Sequence, residues 1–207
     1  MIATISNDFT SCRSVLELKG LGNAVRHAKV GGRNFFRHAN KDGSVGGFVE
    51  STAKVIDSAY IGINAIVHGN ALVSENAGVY DNAEVFGKSW VRGNARVFGN
   101  AKVYGFAQVC GNARVYDDAR VFGNSEVFED ANVFDTAKIF QNASVHGNSE
   151  IGGNSEVCGN ACLMGYTRLY NEKIWKATEF EQQWQLDFFL ENVKRKEEMV
   201  RGFLKRG

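Results

Sequence analysis

The chain has no proline among its 207 residues, and this absence favours regular strands. Proline has no N–H group to donate, so in sheets it is confined to edge strands, first positions and bulges. A sequence without it suits a fold in which every strand hydrogen-bonds to neighbours on both sides.

Cysteine is scarce, and no long apolar run is present. The four cysteines (Cys12, Cys110, Cys158 and Cys162) lack the spacing of a disulfide framework. No apolar stretch is long enough to span a bilayer, and residues 1–10 lack the core of a signal peptide. We therefore expect a cytoplasmic protein with no membrane partner.

Excess charge of one sign is also missing. The chain carries 24 Lys and Arg against 23 Asp and Glu, a formal net charge of +1. No global field therefore selects nucleic acid or an acidic partner.

A six-residue phrase is abundant instead, and it runs without insertion from Ala53 to Leu169. Its clearest lines read R-G-N-A-R-V-F-G-N-A-K-V-Y-G, from Arg92 to Gly105. A small residue recurs at every sixth position, and a branched aliphatic residue follows it two positions later. This alternation is typical of a short strand, and Gly-Asn supplies a corner between strands. Such strands bury their apolar side only when successive coils stack, so the phrase predicts a parallel β-helix.

The residue after each aliphatic position indicates how many sides a coil has. At every eighteenth position, two columns are aromatic, and the third collects most of the exceptions. The first column contains Tyr80, Phe98, Tyr116 and Phe134. The second contains Phe86, Tyr104, Phe122 and Phe140, and the third contains Ser74, Arg92, Cys110, Phe128, His146 and Met164. Three sides per coil fit this pattern, which predicts a prism of about seven coils, roughly 30 Å long at the usual strand spacing.

The phrase V-(F/Y)-G-N-A-(K/R) resembles the hexapeptide-repeat superfamily, over about two-thirds of the chain. It is most similar to bacterial and phage members of obscure function that have long V-Y-G-N-A-R runs. Those proteins often carry G-G-W-(I/V)-E before the repeats, and residues Gly46 to Glu50 read G-G-F-V-E. The resemblance implies a left-handed β-helix, since the general rule for parallel crossovers would be right-handed. The expected fold is all-β, a left-handed parallel β-helix of three-sided coils.

The two ends of the chain depart from the repeat. Residues 1–46 are predicted to form an irregular, locally basic cap, with a strand from Ser14 to Lys19 and an imperfect first coil at residues 28–30. A phosphate or nucleic-acid patch is the alternative. Residues 47–170 form the β-helix, and residues 171–207 are predicted to be helical, with starts at Asn171 or at Thr178. This helix either closes the last coil or mediates self-association through Leu186, Phe189, Val193 and Val200.

The enzymes of this superfamily provide two tests. Its acyltransferases place a histidine beside an extruded loop, but residues 53–169 leave no room for one. Its carbonic anhydrases need three histidine ligands, whereas His68 and His146 are predicted to lie on different sides. Cys110 and His146 share a column but lie two coils apart, beyond hydrogen-bond reach. We therefore expect no catalytic group, no metal and no cofactor.

The two aromatic columns are the predicted binding surfaces. They either stack along the rod or are buried between subunits of a homotrimer. Basic side chains run beside them: Lys102, Arg120 and Lys138 along the second column, and Arg96 and Arg114 along the first. Basic and aromatic columns side by side suit stacked bases and phosphates.

Three functions follow from these features. The first is a non-enzymatic, trimeric scaffold that binds a protein partner, and the phage resemblance adds the idea of a host-directed inhibitor. The second is a binder of nucleotides, nucleic acid or small molecules. The third is an acyltransferase-like enzyme.

Overall fold

The computed structural model describes residues 9–56, 58–175 and 179–204; at residues 9, 199, 200 and 202–204 it describes the backbone alone. The chain begins with strand β1 (Phe9–Cys12), a 3-10 helix (Val15–Gly20), β2 (His27–Val30) and β3 (Arg33–Ala39). A long series of short strands follows, and the described chain ends in helix α1 (Gln183–Leu204). The series is β4 (Val45–Glu50), β5 (Lys54–Val55), β6 (Tyr60–Ile61), β7 (Ile66–Val67), β8 (Leu72–Val73), β9 (Gly78–Val79), β10 (Glu84–Val85), β11 (Trp90–Val91), β12 (Arg96–Val97), β13 (Lys102–Val103), β14 (Gln108–Val109), β15 (Arg114–Val115), β16 (Arg120–Val121), β17 (Glu126–Val127), β18 (Asn132–Val133), β19 (Lys138–Ile139), β20 (Ser144–Val145), β21 (Glu150–Gly152), β22 (Glu156–Val157), β23 (Cys162–Leu163), β24 (Arg168–Tyr170), β25 (Lys173–Ile174) and β26 (Glu179–Phe180).

Every third strand of this series belongs to the same sheet, so the chain winds as a three-sided solenoid. Face 1 contains β4, β7, β10 and every third strand to β25, with β1–β3 added at its start. Face 2 runs from β5 to β26 with 8 strands, and face 3 from β6 to β24 with 7. From β4 onward all pairs are parallel, and Glu84 pairs with Lys102, the residue eighteen positions later. The predicted three-sided parallel architecture is confirmed.

The interior consists of the two predicted columns on each face. Val85, Val103 and Val121 on face 1 are fully buried, as are Ala83 and Ala101. Serine replaces alanine in some coils, and there its hydroxyl donates to backbone carbonyls, as Ser89 Oγ does to Phe86 O at 2.9 Å. Each buried valine contributes roughly 1.5–3 kcal/mol relative to exposure, so the lumen supplies most of the driving force for folding.

The corners need a residue in the left-handed backbone region, and the sequence meets this need in two ways. Glycine stands at most corners, for example Gly105 with φ 75°. Polar residues stand at others, and their side chains accept the N–H of the corner one coil further on, as Asp135 Oδ2 does from Gly153 N at 2.8 Å. A second corner column stacks its amides, with Asn94 Nδ2 donating to Asn112 Oδ1 at 3.1 Å. The chain therefore changes direction at these corners through glycine, or through a polar residue whose side chain hydrogen-bonds to the next coil.

The N-terminal cap differs from the prediction in two places. The 3-10 helix Val15–Gly20 occupies the region predicted as a strand, and its Leu18 is buried against Phe35 and Phe48 in a separate small core. Residues 28–30 belong to β2, which pairs antiparallel with β3 and so is no coil. Gly31 and Gly32 join the two strands with φ values of 52° and 82°, the signs that a tight type I′ hairpin turn requires.

Several cations of the predicted basic patch hold the cap to the rod. The guanidinium of Arg37 donates to the carbonyls of Ile63 (2.6 Å) and Leu21 (2.7 Å). Lys19 forms an ion pair with Glu84 at 2.9 Å, and Arg33 forms one with Glu50 at 3.1 Å. These cations therefore have structural partners within the protein.

The C-terminal segment continues the solenoid before it becomes helical. Asn171 caps no helix: it is a corner residue with φ 58°, and its side chain accepts the N–H of Asn154 at 2.9 Å. Strands β25 and β26 follow, and α1 begins at Gln183. Thr178, the other predicted helix start, lies outside the described residues. Within the described ranges, no helix combines the length and the apolar character needed to cross a membrane.

Candidate functional site

The aromatic columns point away from the lumen and are half-buried in their own stacks. On face 1 the rings of His68, Phe86, Tyr104, Phe122 and Phe140 lie nearly parallel, with successive centroids between 4.8 and 5.0 Å apart. This distance is close to the spacing of the strands, so coil stacking itself sets the ring contacts. Stacking along the rod, the first of the two predicted explanations, is observed. This stacking covers much of the apolar ring surface that the sequence analysis offered to a subunit interface.

The column on face 3 is less regular. Phe98, Tyr116 and Phe134 stack at 4.8 and 5.2 Å. Tyr80 stacks on Tyr60 at 5.2 Å. Its ring also lies over Gly78, where an added Cβ would come within 2.3 Å of it. The glycine is therefore required for the ring to lie flat on the face.

Two of the three cations in the basic column of face 1 form ion pairs. Lys102 pairs with Glu84 at 3.5 Å, and Lys138 pairs with Glu156 at 2.9 Å. Arg120 lies between the two lysines on adjacent strands, and it has no ion pair among the described residues. The exposed guanidinium of Arg120 is therefore flanked by like charges and is available to an anion.

Two aromatic residues outside the predicted columns are much more exposed. Trp90 is 43% exposed on the outer surface of face 2, and Phe106 is 57% exposed at the corner that leads to Gln108 on the next strand. They line a shallow groove of about 520 Å³, which we call the Trp90 groove. The groove is formed by Asn70, Lys88, Trp90, Phe106, Gln108, Asn124 and Glu126.

Cations lie over both rings of the Trp90 groove. The Arg92 guanidinium is 5.8 Å from the Trp90 ring, and the Lys88 ammonium is 5.2 Å from the Phe106 ring. Across the groove, Gln108 Nε2 donates to Glu126 Oε1 at 3.3 Å. The groove therefore combines two apolar surfaces with two cations, one carboxylate and several amides.

The sequence contained a signal for this groove that the aromatic columns obscured. Phe106 occupies a corner position that holds polar residues in other coils, namely Thr52, Asn70, Lys88, Asn124, Asn142 and Asn160. On face 2 the position of Trp90 holds Leu72 in the preceding coil and Gln108, Glu126 and Ser144 in the next three coils. The repeat therefore requires no aromatic residue at either position.

The residues predicted for self-association have different environments. Leu186 is fully buried against the end of the solenoid, and Phe189 packs edge-on against Phe180 with centroids 5.3 Å apart. Val193 is half-buried, and the side chain of Val200 lies outside the described part of the chain. The buried face of α1 therefore closes the last coil, while Trp184 and Phe188, each 67% exposed, face solvent.

The titratable groups form no metal centre in the described ranges, where no cluster of three or more His, Cys, Asp or Glu suits an ion. From residue 58 to residue 175 the coils follow one another with no extruded loop of the kind that acyltransferases of the resembled superfamily use. One contact was missed from the sequence: His146 lies within 3.4 Å of Cys162, one coil further along the rod. Cys110 shares the column of His146 but lies two coils away from it.

The fold and its repeating outer columns define the chain as a parallel β-solenoid repeat protein. A family model described as the YdcK beta solenoid repeat matches residues 107–123 and 113–127. A search of the curated proteins gives no match, and neither does a search of the solved structures. The matched residues span β14 to β17, within the solenoid.

Proposed function

We propose that this β-solenoid is a non-enzymatic interaction scaffold that binds a protein partner through the Trp90 groove. The observation that carries the proposal is the exposure of Trp90 (43%) and Phe106 (57%) side by side in one groove, outside the stacked aromatic columns. Exposed apolar surface beside polar groups marks interaction sites on soluble proteins.

The composition of the groove suits a protein partner. Tryptophan and arginine are enriched among the residues that dominate interface energies, and here Arg92 lies beside Trp90. Lys88 and Arg92 outnumber Glu126. A matching segment would therefore present an apolar side chain flanked by a carboxylate.

The solenoid also holds the groove in place before binding. Trp90 and Gln108 project from strands paired to both neighbours, with β11 lying between β8 and β14. Little backbone ordering would accompany binding, and a low ordering cost raises affinity.

The test uses affinity capture followed by a measured binding constant. A protein captured by the intact chain is purified, and its affinity is compared with that of Trp90→Ala and Phe106→Ala variants by calorimetry. We expect each variant to weaken binding at least tenfold, about 1.4 kcal/mol or more.

Trp184→Ala is the matched control, because Trp184 is equally apolar, more exposed (67%) and on α1. It should bind as the unaltered chain does. Equal affinity of the Trp90 and Phe106 variants would remove the groove from the function.

Homotrimer assembly stays a prediction, as do the hexapeptide-type left-handed coil and a role as a phage-derived, host-directed inhibitor. Light scattering distinguishes a monomer of 22.8 kDa from an assembly of three. Because the aromatic columns stack within the chain, a trimer would use their exposed ring edges, and Phe98→Glu should then dissociate it.

Nucleotide or nucleic-acid binding is a second candidate, and Arg120 favours it. Its exposed guanidinium lies between Lys102 and Lys138, beside the Tyr104–Phe122 stack. Phosphate binding at such a column weakens with added salt. Arg120→Glu should abolish binding of a single-stranded oligonucleotide, whereas Arg195→Glu, on the distant helix, should leave it unchanged.

A further inference from the structure

We propose that Cys162 is a nucleophilic thiol assisted by His146 and Glu129, and that it exchanges with low-molecular-weight disulfides. The site lies on face 2, where Cys162 is four coils beyond Trp90, and is independent of the partner-binding function. Its three residues come from three successive coils.

The distances place the three side chains in sequence. Cys162 Sγ lies 3.4 Å from His146 Nε2, within hydrogen-bond range for sulfur. On the other side of the ring, His146 Nδ1 lies 3.7 Å from Glu129 Oε2. A nucleophile in hydrogen-bond contact with a base, with a carboxylate at ion-pair distance on the far side of that base, is similar to the arrangement that activates cysteine and serine nucleophiles.

Two further contacts fix the imidazole and the carboxylate. The His146 ring stacks on Phe128 with centroids 4.4 Å apart and planes 7° from parallel. Glu129 Oε2 accepts the backbone N–H of Gly147 at 2.7 Å, which holds the carboxylate next to the ring. Glu129 and Phe128 are therefore positioning residues, and Cys162 is the reacting group.

The thiol needs a base in order to react. Burial, and then the carboxylate of Glu179, raise the pKa of Cys162 above its ordinary value, whereas the hydroxyl of Ser144 on the adjacent strand lowers it. The thiol is therefore protonated near neutral pH, and a neutral imidazole in contact with it can remove the proton as the sulfur attacks.

The step is balanced as a thiol–disulfide exchange. Sγ of Cys162 forms a bond to one sulfur of the small disulfide, whose own S–S bond breaks. The departing half leaves as a thiolate and takes up the proton held by His146, so Cys162 ends as a mixed disulfide and one small thiol is released. The carboxylates of Glu129 and Glu179 nearby favour a cationic reactant, which makes cystamine the appropriate probe.

The experiment uses a chain that keeps Cys162 alone, with Cys12, Cys110 and Cys158 replaced by serine. The rate of mixed-disulfide formation with cystamine is followed by intact-mass spectrometry between pH 5.5 and 9. We expect the rate at pH 7 to depend on the imidazole of His146. His146→Phe, which keeps the stack on Phe128, should lower the rate at pH 7 on the order of 100-fold.

Glu129→Gln should lower the rate less than His146→Phe does. The matched control keeps Cys110 alone, because it is also half-buried on this side of the rod and burial likewise raises its pKa. This chain should react slowly, with a rate that rises steadily toward high pH. Circular dichroism confirms that each variant is folded. A loss of less than threefold in His146→Phe, or an equal rate at pH 7 for the chain that keeps Cys110 alone, would contradict the proposal.

Discussion

His68 begins the aromatic column of face 1, where its ring stacks on Phe86 at 4.8 Å. Burial lowers the pKa of His68, and Arg33 and Lys102 lower it further against the opposing carboxylates of Glu84 and Glu50. The unfolded chain therefore binds a proton at a pH where folded His68 remains neutral. The stability that neutral His68 contributes is fully present above the ordinary histidine pKa of about 6.5, and it is lost as the pH falls below that value.

His68→Phe continues the stack without a titrating group. We expect its melting temperature to fall less between pH 7.5 and pH 5 than that of the unaltered chain. Thermal unfolding by circular dichroism measures both slopes. Some slope will persist, because burial also lowers the pKa of His38. Identical slopes in the two proteins would show that His68 does not titrate as described.

Gly105 illustrates the backbone requirement at a corner. Its φ is 75°, and a Cβ added there would meet the backbone nitrogen of Gly123 at 3.0 Å. Gly105→Ala should therefore destabilise the chain by about 1–2 kcal/mol from the left-handed backbone alone. Gly105→Asn should cost less, because its side chain can accept the N–H of Gly123 as Gln141 accepts that of Gly159 in the same column. Denaturant midpoints rank the variants, and equal losses for both would contradict this role of the corner side chain.

At the scale of elements, helix α1 combines a buried and an exposed apolar surface. Leu186 is fully buried and Trp184 is 67% exposed two residues earlier. Leu186→Ala should lower the free energy of unfolding by about 2–5 kcal/mol, the usual loss for a buried leucine. Trp184→Ala should change it little. If both variants unfold as the intact chain does, α1 does not close the rod.

The repeated elements were predictable and the end pieces were not, for a physical reason. The pairing partner of a repeated strand can be predicted from the sequence, because the same six-residue phrase recurs one coil later. Val85 therefore lies beside Val103. The sequence of strand β2 does not indicate its partner: Ala28 and Val30 are spaced as in a coil, but they pair with Phe35 and Arg33 on the antiparallel β3. That pairing depends on the Gly31–Gly32 turn rather than on a period. The position of the 3-10 helix likewise depends on the packing of Leu18, which no local sequence pattern predicts.

The candidate sites show the same division at the scale of the whole molecule. Columns of aligned residues, such as Tyr104 above Phe86, follow from the period and were predicted. The contact of His146 with Cys162 is diagonal, sixteen residues apart, and depends on how the imidazole stacks on Phe128. The period fixes which residues share a column, but it does not fix how far a side chain reaches out of it.

The whole rod should behave as a stack of interchangeable coils, because each one contacts chiefly its neighbours. Pairing repeats every eighteen residues, so deletion of residues 105–122 joins Tyr104 to Gly123, and the glycine takes the place of Gly105. We expect this shortened chain to fold with native-like circular dichroism and a cooperative, somewhat lower transition. Deletion of residues 103–119, one residue shorter, is the matched control. It joins Lys102 to Arg120 and leaves an extra residue inside a strand, which places Arg120 on the lumen side and Val121 on the outside. This control should fail to fold, and equal folding of the two deletions would show that the columns of the lumen do not set the register.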